Sequence, residues 1–168
     1  MTTENYSSLK CVHKIYRANF GKRFNLHKLA HLGRLYTHKP QMLRVTGEKS
    51  TLLLFATGKA ILHGSLSLPE KFKQVVYFDE IPEINIVTMT FVYNFNRILN
   101  LSKIKELHPR TCLYEPELFC ALVISTDYKH VKANLFHTGK LIIMGCTSHD
   151  QAKSVVCGVT EMLLFEKK

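Results

Sequence analysis

The chain has 168 residues, 46% of them apolar, and carries a net charge of +10 from 23 Lys and Arg against 13 Asp and Glu. That length suits one compact body, or two small repeats sharing a core, and no low-complexity segment interrupts it. A balance this basic favours polyanions, nucleic acid before anionic membrane, and no apolar run approaches the ~20 residues of a spanning helix. Residues 1–8 are polar, lack the apolar core of a signal peptide, and read as a flexible N-terminus. The five cysteines are odd in number and never spaced Cys-x-x-Cys. Free thiols in a reducing compartment fit them better than disulfides or zinc.

In chain order, Leu9 to Phe20 alternates as a strand. Asn25 then stands as N-cap ahead of leucines at helical spacing, predicting a short helix through Leu32. Strands follow at Leu43-Arg-Val, Thr51 to Phe55 and Ala60 to His63, and a helix from about Pro69 to Phe78 that Pro82 would end. The order then repeats. Ile84 to Phe95 reads as a strand, Asn100 caps a helix to Leu107, and strands are expected at Leu122-Val-Ile, Val131 to Phe136 and Leu141 to Met144. A longer helix closes the chain. Ser148 caps it, Gln151 completes a capping-box pattern, and Ala152, Val155, Val156, Val159, Met162 and Leu163 form its apolar stripe. The fold class expected is α+β, a curved antiparallel sheet with helices on one face.

Two blocks support a duplication. Residues 55–64 and 136–145 match at six of ten positions at an offset of 81, including the turns Phe55-Ala-Thr-Gly-Lys59 and Phe136-His-Thr-Gly-Lys140. Residues 25–32 and 100–107 match at Asn, Leu, Lys and Leu, but at an offset of 75. The second repeat therefore carries six more residues between helix and hairpin. Tyr114 to Phe119 falls in that stretch, so the first repeat is expected to have a shortened loop there. The division expected is 9–79 for the first repeat, with that shortened loop and a short closing helix, and 80–168 for the second.

The strand Ile84-Asn-Ile-Val-Thr-Met-Thr-Phe-Val-Tyr93 has apolar residues in both alternating sets. A sheet covered on one face should show polar residues on the other, so the second face is expected to meet something flat; an ordinary buried strand reads the same way. His27 and His31 stand at helical i and i+4 spacing but lack a zinc-protease Glu and an evident third ligand, so no metal is expected. No nucleophile elbow, P-loop or nucleotide fingerprint occurs. Neither an enzyme nor a cofactor is expected.

The repeated Phe-x-Thr-Gly-Lys turn, together with Tyr114-Glu-Pro-Glu-Leu-Phe119, resembles the core of the TATA-binding protein family. The resemblance spans about residues 9–165 and is sharpest in the second repeat. It implies a saddle of two pseudo-symmetric repeats that docks its sheet in the DNA minor groove and inserts apolar wedges between base steps. Phe119 and Phe136 match one wedge pair. Phe55 matches the hairpin phenylalanine of the other, and the 81-residue offset sets His38 opposite Phe119, leaving that wedge half built.

The same resemblance implies backbone contacts from Lys59, Lys140, Thr57 and Thr138, with Arg44 and Lys49 as further phosphate contacts. At the 81-residue offset Arg44 corresponds to Ser125 and Lys49 to His130. His13 and Thr88 stand where family members place base-reading asparagines, and His63 and Met144 where threonines end the hairpin strands. This shifts the expected selectivity from base edges to A·T-rich groove shape. Glu115 and Glu117 match residues that meet the B-type initiation factor, which recruits RNA polymerase. The shortened first loop leaves recognition of the A-type factor unsupported.

The implied activity is transcription initiation: A/T-rich promoter DNA bound in the minor groove, bent, and presented to the B-type factor. It would take place in the nucleus, or at the site of viral transcription if the source is a virus. The alternative is a protein-interaction module of the same fold that has given up specific DNA binding.

Overall fold

A computed structural model of the chain describes residues 8–76 and 83–164. The expected extension of the first closing helix to Phe78, its end at Pro82, and the N-terminal segment before Ser8 lie outside the described residues. Ten strands and three α-helices follow in order: β1 (Lys10–Asn19), β2 (Arg34–Tyr36), β3 (Met42–Thr46), β4 (Ser50–Phe55), β5 (Lys59–Gly64), α1 (Glu70–Val75), β6 (Glu83–Asn94), α2 (Leu101–Leu107), β7 (Cys112–Leu113), β8 (Ala121–Ser125), β9 (Lys132–Phe136), β10 (Lys140–Cys146) and α3 (His149–Leu164). Among the described residues, no helix is long and apolar enough to cross a membrane.

The chain forms two compact units. The first is His13–Val87; the second runs from Thr88 onward and includes the chain up to Val12. In the first unit the antiparallel order is β2-β3-β4-β5-β1, and in the second it is β6-β10-β9-β8-β7. The unit boundaries differ from the 9–79 and 80–168 division. Leu9 is buried in the core of the second unit, whereas Ile84 packs against that of the first. The start of β1 thus packs with the second core and the start of β6 with the first.

Each core follows from alternation. On β3, β4 and β5 the residues Leu43, Val45, Leu52, Leu54, Ala60 and Leu62 are buried, and Phe72 of α1 covers them with no exposed surface. In the second unit Phe91, Leu122, Leu135, Leu141 and Ile143 play that part beneath Ala152, Val156 and Val159 of α3. Burial of each such Leu, Ile, Val or Phe side chain stabilises the fold by about 1.5–3 kcal/mol. Ser148 Oγ caps α3 by accepting from Gln151 N–H at 3.2 Å. The Gln151 side chain reaches one residue further back than the capping-box pattern predicts, accepting from Thr147 N–H at 2.8 Å.

Register places the six extra residues elsewhere than expected. In β3·β4, Thr46 pairs with Thr51, and the equivalent β8·β9 pair is Ser125 with Lys132, so two of the six lie between those strands. Leu32 ends the first 3₁₀ turn directly before Gly33 and β2, while four residues, 108–111, separate α2 from β7. Those are the other four. Arg34 pairs with Arg44 and Leu113 with Val123, the same separation in both units. The loop holding Tyr114 to Phe119 thus has a counterpart of equal length, and the expectation of a shortened first loop is corrected.

The four residues also explain a second correction. Asn25 to Leu32 forms turns and a 3₁₀ helix at Ala30–Leu32, not the predicted α-helix. Its bonds run i to i+3: Leu29 N–H to Leu26 O, Ala30 to His27, Leu32 to Leu29. Gly33 follows at once and lies so close to β3 that an added Cβ would strike the Arg44 carbonyl. Too little chain remains for a second α turn. In the second unit residues 108–111 supply it, and Asn100 Oδ1 caps α2 by accepting from Lys103 N–H at 3.1 Å.

Candidate nucleic-acid interface

Cross-strand partners in an antiparallel ladder point to the same face, so register identifies what each sheet presents on the side away from its helices. In the first unit one row across the sheet reads Arg17, Ile61, Leu53, Arg44, Arg34. The equivalent row of the second reads Val92, Ile142, Asn134, Val123, Leu113. One open face is apolar with cations; the other is apolar with one amide. No helix covers these rows, and their residues are half-buried or exposed.

Both hairpin tips are built alike. Phe55 O accepts from Gly58 N–H at 3.0 Å and Phe136 O from Gly139 N–H at 2.9 Å. The glycines have φ of +86° and +82°, the left-handed conformation that a three-residue hairpin with a bulge needs. Each glycine lies against another backbone segment. Phe20 N–H donates to Gly58 O and Phe95 N–H to Gly139 O, and a Cβ would strike the carbonyl of Lys22 or Arg97. Thr57 and Thr138 are exposed at the tips. Lys59 and Lys140 are exposed one residue past the turn, opposite Asn19 and Asn94 in the ladders.

Phe119 and Phe136, 17 residues apart in the chain, come together. Their ring centroids lie 6.3 Å apart at 71°, and Phe119 is 43% exposed. The loop before Phe119 is fixed by Glu115 O, which accepts from both Leu118 and Phe119 N–H at 2.9 Å. Tyr114 anchors the loop against the second core, leaving Glu115, Glu117 and Leu118 exposed. Phe55 has no such partner ring among the described residues. The β3·β4 register sets Pro40, not His38, at the position of Phe119. It likewise sets Arg44 opposite Val123, not Ser125. Both corrections arise from the two residues by which the β3–β4 connection is shorter, which the 81-residue offset does not see.

His13 is exposed, and its ring centroid lies 5.7 Å from that of His63. Burial, then His13 and Arg44, hold the His63 pKa below its ordinary value. Thr88 is half-buried on β6, and Lys49 is exposed beside β4, where its carbonyl accepts from Ser65 N–H at 2.9 Å. Sequence reasoning missed Arg17, Arg34 and Tyr36. Arg34 lies over the Tyr36 ring at 5.1 Å. Arg17 was legible, since it shares parity with His13 on β1, but the three-residue β2 is too short for any period to show. Among the described residues no group of three or more His, Cys, Asp or Glu comes together as a metal site. His27 and His31 are not on one α-helix but on a turn and the 3₁₀ helix.

The family model "Transcription factor TFIID (or TATA-binding protein, TBP)" matches residues 83–164, close to the whole second repeat. A TATA-box-binding protein of Natronomonas pharaonis is 31% identical over 132 residues, 71% of each chain. The chain belongs to the TATA-binding protein family. TATA-box-binding protein 2 of Entamoeba histolytica aligns with all of this chain and 86% of its own length at 25% identity. The solved structure of Methanococcus jannaschii TBP superposes with a TM-score of 0.73 at 26% identity, covering 91% of this chain and 95% of that one. The expected α+β TBP fold is therefore the fold of this chain, and its family is one of transcription factors rather than enzymes.

Proposed function

We propose that this TBP-family chain initiates transcription by binding A/T-rich promoter DNA in the minor groove and bending it. The observation that carries this reading is the exposed Phe119–Phe136 edge pair at the end of an uncovered, largely apolar sheet face. Apolar wedges unstack base steps, and the narrow groove rewards shape and apolar contact over a donor–acceptor code. Lys59, Lys140, Arg44 and Lys49 supply phosphate contacts, joined by the hydroxyls of Thr57 and Thr138; His13 and Thr88 face base edges. Glu115 and Glu117 present the loop to a B-type initiation factor and through it to RNA polymerase, because acids beside phosphate are repelled and serve better as protein contacts. The site of action is then wherever the promoters are, the nucleus in a eukaryotic cell. The proposed repeat division is 9–79 and 80–168 along the sequence, with the leading strand ends exchanged.

The test compares fluorophore-paired A·T-rich and G·C-rich duplexes of equal length over a salt series. End-to-end shortening on the A·T-rich duplex, lost in Phe119→Ala/Phe136→Ala, is the expected result. Equal, steeply salt-dependent binding without bending would reduce the DNA role to charge attraction. The second reading, a protein-interaction module, would then lead. It draws on Pro40 in the place of a wedge phenylalanine and on Leu118, 81% exposed directly after Glu117.

A further inference from the structure

Where the second unit has a ring pair, the first has a hollow. It measures about 950 Å³ and is floored by Phe55, Pro40, Ala60 and Ile61. Arg17, Arg23, Lys39 and Lys59 line it, and no acid is among its lining residues. The volume falls in the ~300–1,000 Å³ range of sites that take a small molecule. The chemistry is a flat aromatic wall beside a ring of cations. Arg17 and Lys59 also border an adjacent hollow whose lining includes Glu83.

Phe119 stacks edge-on against Phe136 and so fills the corresponding space of the second unit with protein. Beside Phe55 a proline occupies that place, and a proline ring offers no π-face. Phe55 is thus left with room for a stacking partner that this unit does not supply.

We propose that this hollow is a binding site for one unpaired nucleotide. The base stacks on Phe55, and its flanking phosphates meet Arg23 and Lys39 on one side and Arg17 and Lys59 on the other. Every nucleobase has a π-face, and base–aromatic stacking combined with a basic groove is how single strands are held without sequence preference. A charge complement of four cations selects a nucleotide over an aromatic side chain from a protein. The proposal rests on the DNA-binding reading above and adds to it: the second unit wedges paired steps, while the first favours DNA with a base already out of the stack. Lifting a base from a paired stack has an unpairing cost that a bulged or mismatched base has already met.

The test uses the whole chain and two A·T-rich duplexes identical but for one extra unpaired 2-aminopurine nucleotide. The bulged duplex is expected to bind about tenfold tighter, with its 2-aminopurine fluorescence quenched on binding. Phe55→Ala should abolish both the preference and the quenching. Phe55→Leu, which keeps the half-buried packing and removes the ring, should do the same in a chain that remains folded. Arg23→Glu/Lys39→Glu, two exposed cations of the lining, should also erase the preference. Equal affinity for the two duplexes, or a preference that survives Phe55→Leu, overturns the proposal. Bending of the paired A·T-rich duplex is read in the same samples. Bending without bulge preference removes this site and leaves the promoter-binding reading intact; bulge preference and quenching without bending does the reverse.

Discussion

The two repeats keep the same scaffold and differ in what they place on it. Both close their hairpins with the same glycine turn, and each holds an aromatic with no exposed surface, Phe72 in one and Phe91 in the other. On the uncovered face they part. The row from Arg17 to Arg34 carries three cations, while the row from Val92 to Leu113 carries none. A duplicated fold can thus hold its interior constant and let the exposed parity of each strand diverge, because one face answers to packing and the other only to the ligand. The second repeat presents an apolar open row and the first a charged one.

The strongest way to break this comparison is through the shared interior. Phe72→Ala and Phe91→Ala should each cost about 3–5 kcal/mol in denaturant unfolding, since both rings are wholly buried. Hydrogen exchange should place the lost protection in the first unit for one variant and in the second for the other. Protection lost evenly from both units in either variant would show that they do not carry separate cores.

The next effect concerns the ligand face. Phe119→Ala/Phe136→Ala should lower affinity for A·T-rich duplex by at least about tenfold and abolish bending, whereas Phe55→Leu should leave most of the bend. Equal loss from both variants would make the two wedges equivalent.

Charge gives a smaller, more diagnostic difference. Arg34→Ala/Arg44→Ala should reduce the slope of log affinity against log salt by about one for each phosphate contact removed. Val123→Ala, at the equivalent position to Arg44 in the other repeat, should leave the slope unchanged.

The smallest effect is a matter of pH. Burial, with His13 and Arg44 adding to it, holds the folded-state pKa of His63 below 6.5. The unfolded chain therefore takes up a proton first as the pH falls, and the folded state loses stability from about pH 6.5 downward until the folded pKa is passed. His63→Asn should flatten unfolding midpoints across that window. On the proposed DNA-binding reading a phosphate brought near His63 would favour the charged form, and the affinity of the unmodified protein for DNA should then rise as the pH falls through the same window.

Much of this was legible in the residues. Strand alternation and the two glycine turns pointed to the α+β class, and the family resemblance carried by the Tyr114–Phe119 loop pointed to the Phe119–Phe136 pair. Positions set by pairing across strands were not legible, because an offset measured at one hairpin carries no information about connections upstream of it. That is why His38 stood where Pro40 belongs and Ser125 where Val123 belongs. The helix expected after Asn25 failed for a related reason. Its local signals match those after Asn100, and only the nearness of Gly33 to β3 shows that the chain has run out of length. The exchange of Leu9 and Ile84 between cores was equally hidden, being a property of three-dimensional packing with no period to betray it.

The two residues that separate the β3–β4 connection from the β8–β9 connection lie outside the ladder, beyond Thr46 with Thr51 in one unit and Ser125 with Lys132 in the other. Chain added there leaves every rung in place; only a slip within the ladder turns a face over. Leu122 and Ile124 are therefore buried as Leu43 and Val45 are. The connection is free to change length while both faces of the sheet keep their order.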